Sequence, residues 1–271
     1  MHMWTIHPFS ACSLPERAEA GAVPKSDLVF YIRPRGGFTA RLAKYVELHS
    51  ESRMPLLLDG PYGGVDMQRL VECQRVVVAA GGSGAGWILP FVIAFLRRFH
   101  WPVEDDVVPS MRIILATRDM ATQRWFEAAF TELTRSCESK PDITVETYFT
   151  GSEDNEHSSK STGQFLQALD DPEKAPEPSL PIDSASDSDS NGRDARHKVE
   201  GHNLFISRPD MSSVVAEEVS AHGWAGTLGF FVCGPLSMQS DTANAVAKEQ
   251  LSTIKDGMKD IYLHMEHFSW A

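Results

Sequence analysis

Several clusters of residues have the types and spacing to hold a phosphorylated ligand. The first is Gly81-Gly82-Ser83-Gly84, with Gly86 just beyond. Five apolar residues, Val76 to Ala80, precede it, and an apolar run over 87–96 follows. A buried strand, a glycine turn and a helix in that order let a backbone approach a nucleotide diphosphate. The helix N-terminus then supplies N–H groups and partial positive charge. The same glycines also suit a plain tight turn. A second cluster is Arg33 with Arg35-Gly36-Gly37-Phe38-Thr39, two glycines before a helix start with arginines close by. It suits a pyrophosphate, or else a solvated loop with a capped helix.

Further clusters fall where strands should end. Cys233-Gly234-Pro235 follows an apolar strand, which places Cys233 near the reacting end of a ligand or makes it a buried structural thiol. Arg118 and Arg208 fall at two other strand ends; they would clamp a 2′-phosphate or form surface salt bridges. His7-Pro8-Phe9-Ser10 brings together an imidazole, an aromatic ring and a hydroxyl. It reads as an ordinary strand start or as a flavin site, with Phe9 on the ring, Ser10 near its reactive nitrogen and His7 near the phosphates. Phe268 and Trp270 close the chain, either tucked into a core or as an aromatic lid over a flavin face.

The elements that would position these residues alternate. Strands are expected over 75–80, 111–117, 142–150, 204–207, 227–233 and 260–268, and helices over 88–99, 122–136, 212–222 and 240–254. This rhythm predicts an α/β domain, a mostly parallel sheet with helices on both faces. Before it, 28–32 and 56–58 read as short strands, and Thr39 reads as the cap of a helix over 40–48. The expected division is a first domain over 1–70 and an α/β domain over 71–271. Residues 151–200 interrupt the rhythm with 12 acidic and 5 basic residues and a DSASDSDS tract at 183–190. Such a stretch cannot bury enough apolar surface to offset chain entropy, so it reads as a disordered insertion with a short helix at 164–169.

Composition excludes several classes. The 271 residues are 42% hydrophobic with a net charge of −12. Without a basic stripe there is no nucleic-acid partner to expect. Four scattered cysteines with no CxxC pair suit a reducing compartment. No apolar run is long enough to cross a bilayer, and 1–10 lacks a secretory h-region. GxSxG, HExxH and EF-hand patterns are absent, and His264 with His267 has no partner cluster, so no metal site is expected.

Taken in order, the motifs resemble the cytosolic FAD/NAD(P)-binding portion of the fungal ferric reductase and NADPH oxidase family, which is related to ferredoxin–NADP reductase. HPFS at 7–10, RGGFT at 35–39, LDGPYG at 58–63, GGSGAGWILPF at 81–91 and CGP at 233–235 carry the resemblance. ATRDMATQRWF at 116–126, SRPD at 207–210 (Ser207 in place of glycine) and EHFSW at 266–270 extend it. The resemblance implies a flavoprotein in which NADPH gives hydride to FAD, and FAD gives single electrons to a haem-containing membrane domain and on to Fe³⁺. It implies His7, Phe9 and Ser10 on the flavin, and Arg33, Gly37, Phe38 and Thr39 on its diphosphate side. Gly81, Gly82, Ser83, Gly84, Gly234 and Pro235 would surround the NADPH phosphates, with Arg118 and Arg208 at the 2′-phosphate. Cys233 would flank the nicotinamide, and Phe268 or Trp270 would cover the flavin.

The haem-bearing helices and the early strands of the flavin barrel precede HPFS in that family. The expected first domain is therefore a partial antiparallel β-barrel for FAD. The chain reads as a fragment or a truncated product that sits at the cytosolic face of a membrane as part of a longer protein, and is cytoplasmic alone. The cytosolic half of a superoxide-generating oxidase and a non-catalytic nucleotide-binding module are the alternatives. The 183–190 serines among acids are candidate kinase targets.

Overall fold

The computed structural model describes residues 9–15, 26–34, 36–50, 53, 55, 57–60, 63–99, 108–135, 137, 141–151, 197–199, 202–221, 226–253 and 259–266. His7, Arg35, Phe268, Trp270, the 164–169 helix and the 183–190 tract lie outside them.

The first regular element is helix α1 (Gly37–Leu48), which buries none of its residues. Its N-cap is Gly36, not Thr39, whose hydroxyl donates back to the Gly36 carbonyl at 3.1 Å. The expected strand at 28–32 does not form, and 57–58 is likewise without strand structure. β-forming residues need a ladder partner. Segment 26–34 meets 9–15 through a few scattered bonds instead of a ladder: Cys12 N–H donates to Val29 O, and Ser13 Oγ donates to Asp27 O and accepts from Val29 N–H. Helix α2 (Met67–Glu72) was not anticipated. Asp66 caps it by accepting from the Gln68 and Arg69 N–H groups, and Leu70 is buried.

From there the alternation holds. Strand β1 (Arg75–Gly81) leads through a 3-10 turn (Gly82–Gly84) into helix α3 (Ala85–Phe99). Then come β2 (Ser110–Thr117), α4 (Met120–Arg135) and β3 (Asp142–Phe149). Strand β4 (His197–Val199) follows, inside the stretch expected to be disordered up to 200, then β5 (His202–Phe205). Helix α5 (Met211–Ser220), β6 (Gly226–Cys233), α6 (Leu236–Thr253) and β7 (Lys259–Glu266) complete the chain.

The seven strands form one sheet in the order β4-β5-β3-β2-β1-β6-β7. Every neighbouring pair is parallel except β4 with β5. Val77, Val78, Ala79 and Ala80 of β1 are fully buried, because helices cover both faces. Val76, Val78 and Ala80 face a core shared with α3 and α4, containing Ile88, Phe91, Phe95 and Phe126. Val77 and Ala79 face a second core with Val215 of α5 and Val246 of α6. The chain runs outward from β1 through β2 and β3, then returns to place β6 on the other side of β1. The carboxyl ends of β1 and β6 thus flank the point where strand order reverses, which is where open α/β sheets accept ligands.

Candidate functional site

The parallel registers line up one residue from each strand at that reversal. Ala116 of β2 pairs with Gly81, Ala80 with Cys233, and Cys233 with Glu266 of β7. The glycines here do different jobs. A Cβ on Gly81 would meet Pro235 Cδ at 2.7 Å, and one on Gly234 would meet Met238 Sδ at 2.9 Å and Gly81 N at 3.2 Å. These two glycines let the turns after β1 and β6 touch backbone to backbone. A Cβ on Gly84 would press on Ala80 Cβ at 3.2 Å and Cys233 O at 3.4 Å. Gly82 differs: its φ is +66°, and open space surrounds it. A side-chain-free, left-handed position before a helix start is a seat for a diphosphate. The backbone of 82–84 therefore has room for a phosphate group, with Gly81, Gly234 and Pro235 packed together beside it.

Cys233 lies directly beneath this turn and is fully buried. Burial, then the charge of Glu266, push its thiol up to about 12. It is a neutral, buried thiol at physiological pH, packed against the position of Gly84. Two neighbours were not singled out from the sequence. Trp87, in the first turn of α3, donates its indole N–H to Glu266 Oε2 at 2.6 Å. Gln239 Nε2 donates to Gly234 O at 2.8 Å and to Glu266 O at 3.1 Å. A hydrogen bond to a charged acceptor contributes about 1.5–3 kcal/mol, so Trp87 holds the end of β7 firmly against the start of α3. The EHFSW motif contained Glu266; nothing local signalled the Trp87 bond, which joins residues 179 apart.

Arg118 and Arg208 are both exposed, immediately after β2 and shortly after β5, and neither has a salt-bridge partner among the described residues. Each is followed by an N-capping aspartate. Asp119 accepts from Thr122 Oγ1 at 2.7 Å and from the Ala121 and Thr122 N–H groups, bonds that hold its carboxyl below its ordinary pKa, with Arg33 helping. Asp210 is lowered in the same way by Ser213 and Ser212.

The flavin-side candidates sit on other elements. Gly37 has φ +55° with open space around it, and the N-cap Gly36 has no side chain to occupy the helix start. Phe38 and Thr39 belong to the same first turn of α1, which has no acidic residue to repel an anion. This end has room for an anionic group. Arg33, expected beside it, pairs with Asp119 at 3.0 Å. Phe9 is 40% exposed, its ring 6.3 Å from that of Phe30, and Ser10 begins the segment that lies on α3.

A separate cleft of about 350 Å³ opens at the opposite end of the sheet, lined by Arg75, Arg112, Glu146, Glu217 and Glu218 among others. It is not the nucleotide seat, because its arginines are already bound to carboxylates. Arg75 Nη2 meets Glu218 at 2.7 Å, and Arg112 meets Glu146 at 2.9 Å, Glu217 at 2.9 Å and Glu218 at 3.2 Å. No helix among the described residues is long and apolar enough to cross a membrane.

The "probable cell surface ferric reductase kap2" of Aspergillus oryzae is 31% identical over 170 residues, 60% of this chain and 22% of that protein. The chain thus spans about a fifth of that relative's length. Among solved structures, the CS-b5R domains of human Ncb5or align over 91% of this chain and 52% of that one at 11% identity, with a TM-score of 0.43. A ferredoxin-NADP⁺ reductase from Plasmodium falciparum aligns over 77% and 59% at 7% identity, with a TM-score of 0.34. Residues 1–66 match the family model described as an FAD-binding domain. Residues 73–247, which hold the glycine turn, both arginines and Cys233-Gly234-Pro235, match the ferric reductase NAD binding domain, and the chain belongs to the ferric reductase family.

Proposed function

We propose that this chain is the NADPH- and FAD-binding portion of a ferric-chelate reductase. The observation that carries the reading is the crevice at the carboxyl ends of β1 and β6. There Gly82 is open and left-handed, and Gly81 and Gly234 bring two turns into contact. In this reading the 82–84 turn holds the NADPH diphosphate. Arg118 and Arg208, exposed beyond neighbouring strands, hold its 2′-phosphate through their planar donor forks and so select NADPH over NADH. Gly37, Phe38 and Thr39 receive the FAD diphosphate at the start of α1, with Arg33 close by, and His7, Phe9 and Ser10 attend the flavin ring. Phe268 and Trp270 cover its other face. Bound together, the two cofactors supply hydride transfer from nicotinamide to flavin and then single-electron transfer. The protein supplies placement: it holds the two ligands and keeps the crevice free of a nucleophile, since Cys233 is buried and neutral.

The electron acceptor is a haem-containing membrane domain, with Fe³⁺ beyond it, and the chain works at the cytosolic face of that membrane. The serines of 183–190 are offered to an acid-directed kinase. The test is to add FAD and then NADPH, without oxygen, to the purified chain and follow the visible flavin absorbance. Bleaching is expected; the absence of both flavin binding and NADPH oxidation overturns the reading. Tight NADPH binding without flavin reduction would mark a nucleotide-binding module. In the full-length protein, superoxide in place of Fe²⁺ as product would mark an oxidase.

A further inference from the structure

Gly86 lies two positions past the last glycine of the turn, and its nearest neighbour belongs to the first segment of the chain. A Cβ there would come within 2.7 Å of Cys12 Sγ and 3.8 Å of the Trp125 ring. Cys12 is buried in the core that α3 and α4 form against the sheet. The contact does not stand alone. The Tyr31 ring sits 4.3 Å from that of Trp125, in tilted contact. Arg33 Nη2 is 3.0 Å from Asp119 Oδ2. Arg97 donates to the Pro15 carbonyl at 2.6 Å and to the Leu14 carbonyl at 3.4 Å. Every contributor on one side of this seam comes from 9–15 or 26–34, within the FAD-binding match; on the other side they come from α3 or α4 and the residue capping it.

We propose that Gly86 is a positioning residue: its bare Cα is the socket in which Cys12 seats the flavin-side segment, and this sets how the flavin approaches the nicotinamide. The inference rests on the NADPH–FAD reductase reading above. Gly82 faces the ligand space, whereas Gly86 faces Cys12, so the two glycines serve different partners. A close-packed seam cannot absorb an added methyl without displacing one side. A displacement of about 1 Å is enough to slow a reaction between two bound groups about a hundredfold.

The experiment uses the whole chain with Gly86→Ala, the double variant Cys12→Ala/Gly86→Ala, and Cys12→Leu, which overfills the socket from the other side. The readouts are the Kd for NADPH, the Kd for FAD by flavin fluorescence, the anaerobic rate of flavin reduction, and the long-wavelength charge-transfer absorbance of stacked rings. Gly86→Ala and Cys12→Leu should each slow flavin reduction by about tenfold or more and weaken the charge-transfer band, with both Kd values within about twofold of wild type. The double variant should recover the rate to within about threefold, because the methyl then occupies the space the sulfur left. A Gly86→Ala variant that loses NADPH affinity and is not rescued by Cys12→Ala would overturn the proposal. So would a Cys12→Leu variant that reduces flavin at the wild-type rate, and this variant carries the test if Gly86→Ala does not fold. Failure of the wild-type chain to bind either cofactor is a separate result, and overturns the reductase reading itself together with this inference.

Discussion

At their carboxyl ends β1 and β6 stop in glycines that touch backbone to backbone, with Gly82 open to solvent-sized space. At the amino end of the same sheet, β1 opens on Arg75 and β2 carries Arg112, which meet Glu218, Glu217 and Glu146. Tyr148 adds its hydroxyl to Glu146 at 3.0 Å, and burial with the nearby Glu146 charge raises its pKa. One end is stripped of side chains, and in the proposed reading a nucleotide occupies that space. The other is filled with charge that is satisfied internally and pins α5 to the sheet. The difference shows how one set of strands separates the work of binding from the work of holding together.

If that separation is real, damage at each end should read out differently. The largest effect is expected from Arg112→Ala, which leaves Glu146, under 10% exposed, without its cation, while Glu218 keeps Arg75. Breaking a buried pair in this way costs about 3–5 kcal/mol, measurable by urea unfolding. NADPH affinity of the folded fraction should stay within about twofold of wild type; a proportional loss would show that the two ends are not independent.

Gly81→Ala should do both kinds of damage. Its Cβ would overlap Pro235, so about 1–3 kcal/mol of stability is expected to go. With the crevice floor displaced, NADPH Kd should rise about tenfold or more by titration calorimetry, a cost of about 1.4 kcal/mol. Arg118→Ala and Arg208→Ala should leave the urea midpoint unchanged, since neither side chain is buried. Each should lower the NADPH-over-NADH ratio of kcat/KM about tenfold, and unchanged ratios would remove both from the site.

The smallest effect is at the helix cap beside Arg208. Asp210→Ala should cost about 1 kcal/mol near neutrality. The Asp210 pKa is lowered in the fold, so its contribution is fully present above the ordinary carboxylate value. It fades as pH falls through the lower folded value. The gap in Tm between wild type and Asp210→Ala should therefore close on acidification below about pH 4. A gap that stays constant would show that the cap acts through something other than its charge.

The central strands were legible because each is a short apolar run bounded by turn residues, too short and too rich in β-branched or aromatic residues for a buried helix. The glycine turn and Cys233-Gly234-Pro235 were legible for the same reason: they end those runs. What escaped depends on partners far away in the chain. Residues 28–32 have the composition of a strand, but their backbone bonds to Cys12 and Ser13 do not make a ladder. Arg75 and Glu218 are 143 residues apart, and neither announces the other. Gly86 looked like one more glycine of the turn; only the position of Cys12 gives it a different meaning. Helix α2 has six residues and too little periodicity to notice, although Asp66 was a readable cap.

The return of β6 to the side of β1 has a consequence for how the chain comes into being. Arg75 pairs with Leu228, so the central contact of the sheet waits for about 150 residues to be made, a topology that slows folding. The long interruption between β3 and β4 adds little to that wait in thermodynamic terms, because loop closure grows only with the logarithm of length. At a synthesis rate of roughly 5–20 residues per second, β1, β2 and β3 emerge many seconds before their last central neighbour. During that interval one edge of β1 is bare, an apolar ladder waiting for β6 and open to any other strand that arrives first. The nucleotide crevice is thus among the last features of the molecule to exist, and a nascent chain that stalls before Cys233 carries the glycine turn with no floor beneath it.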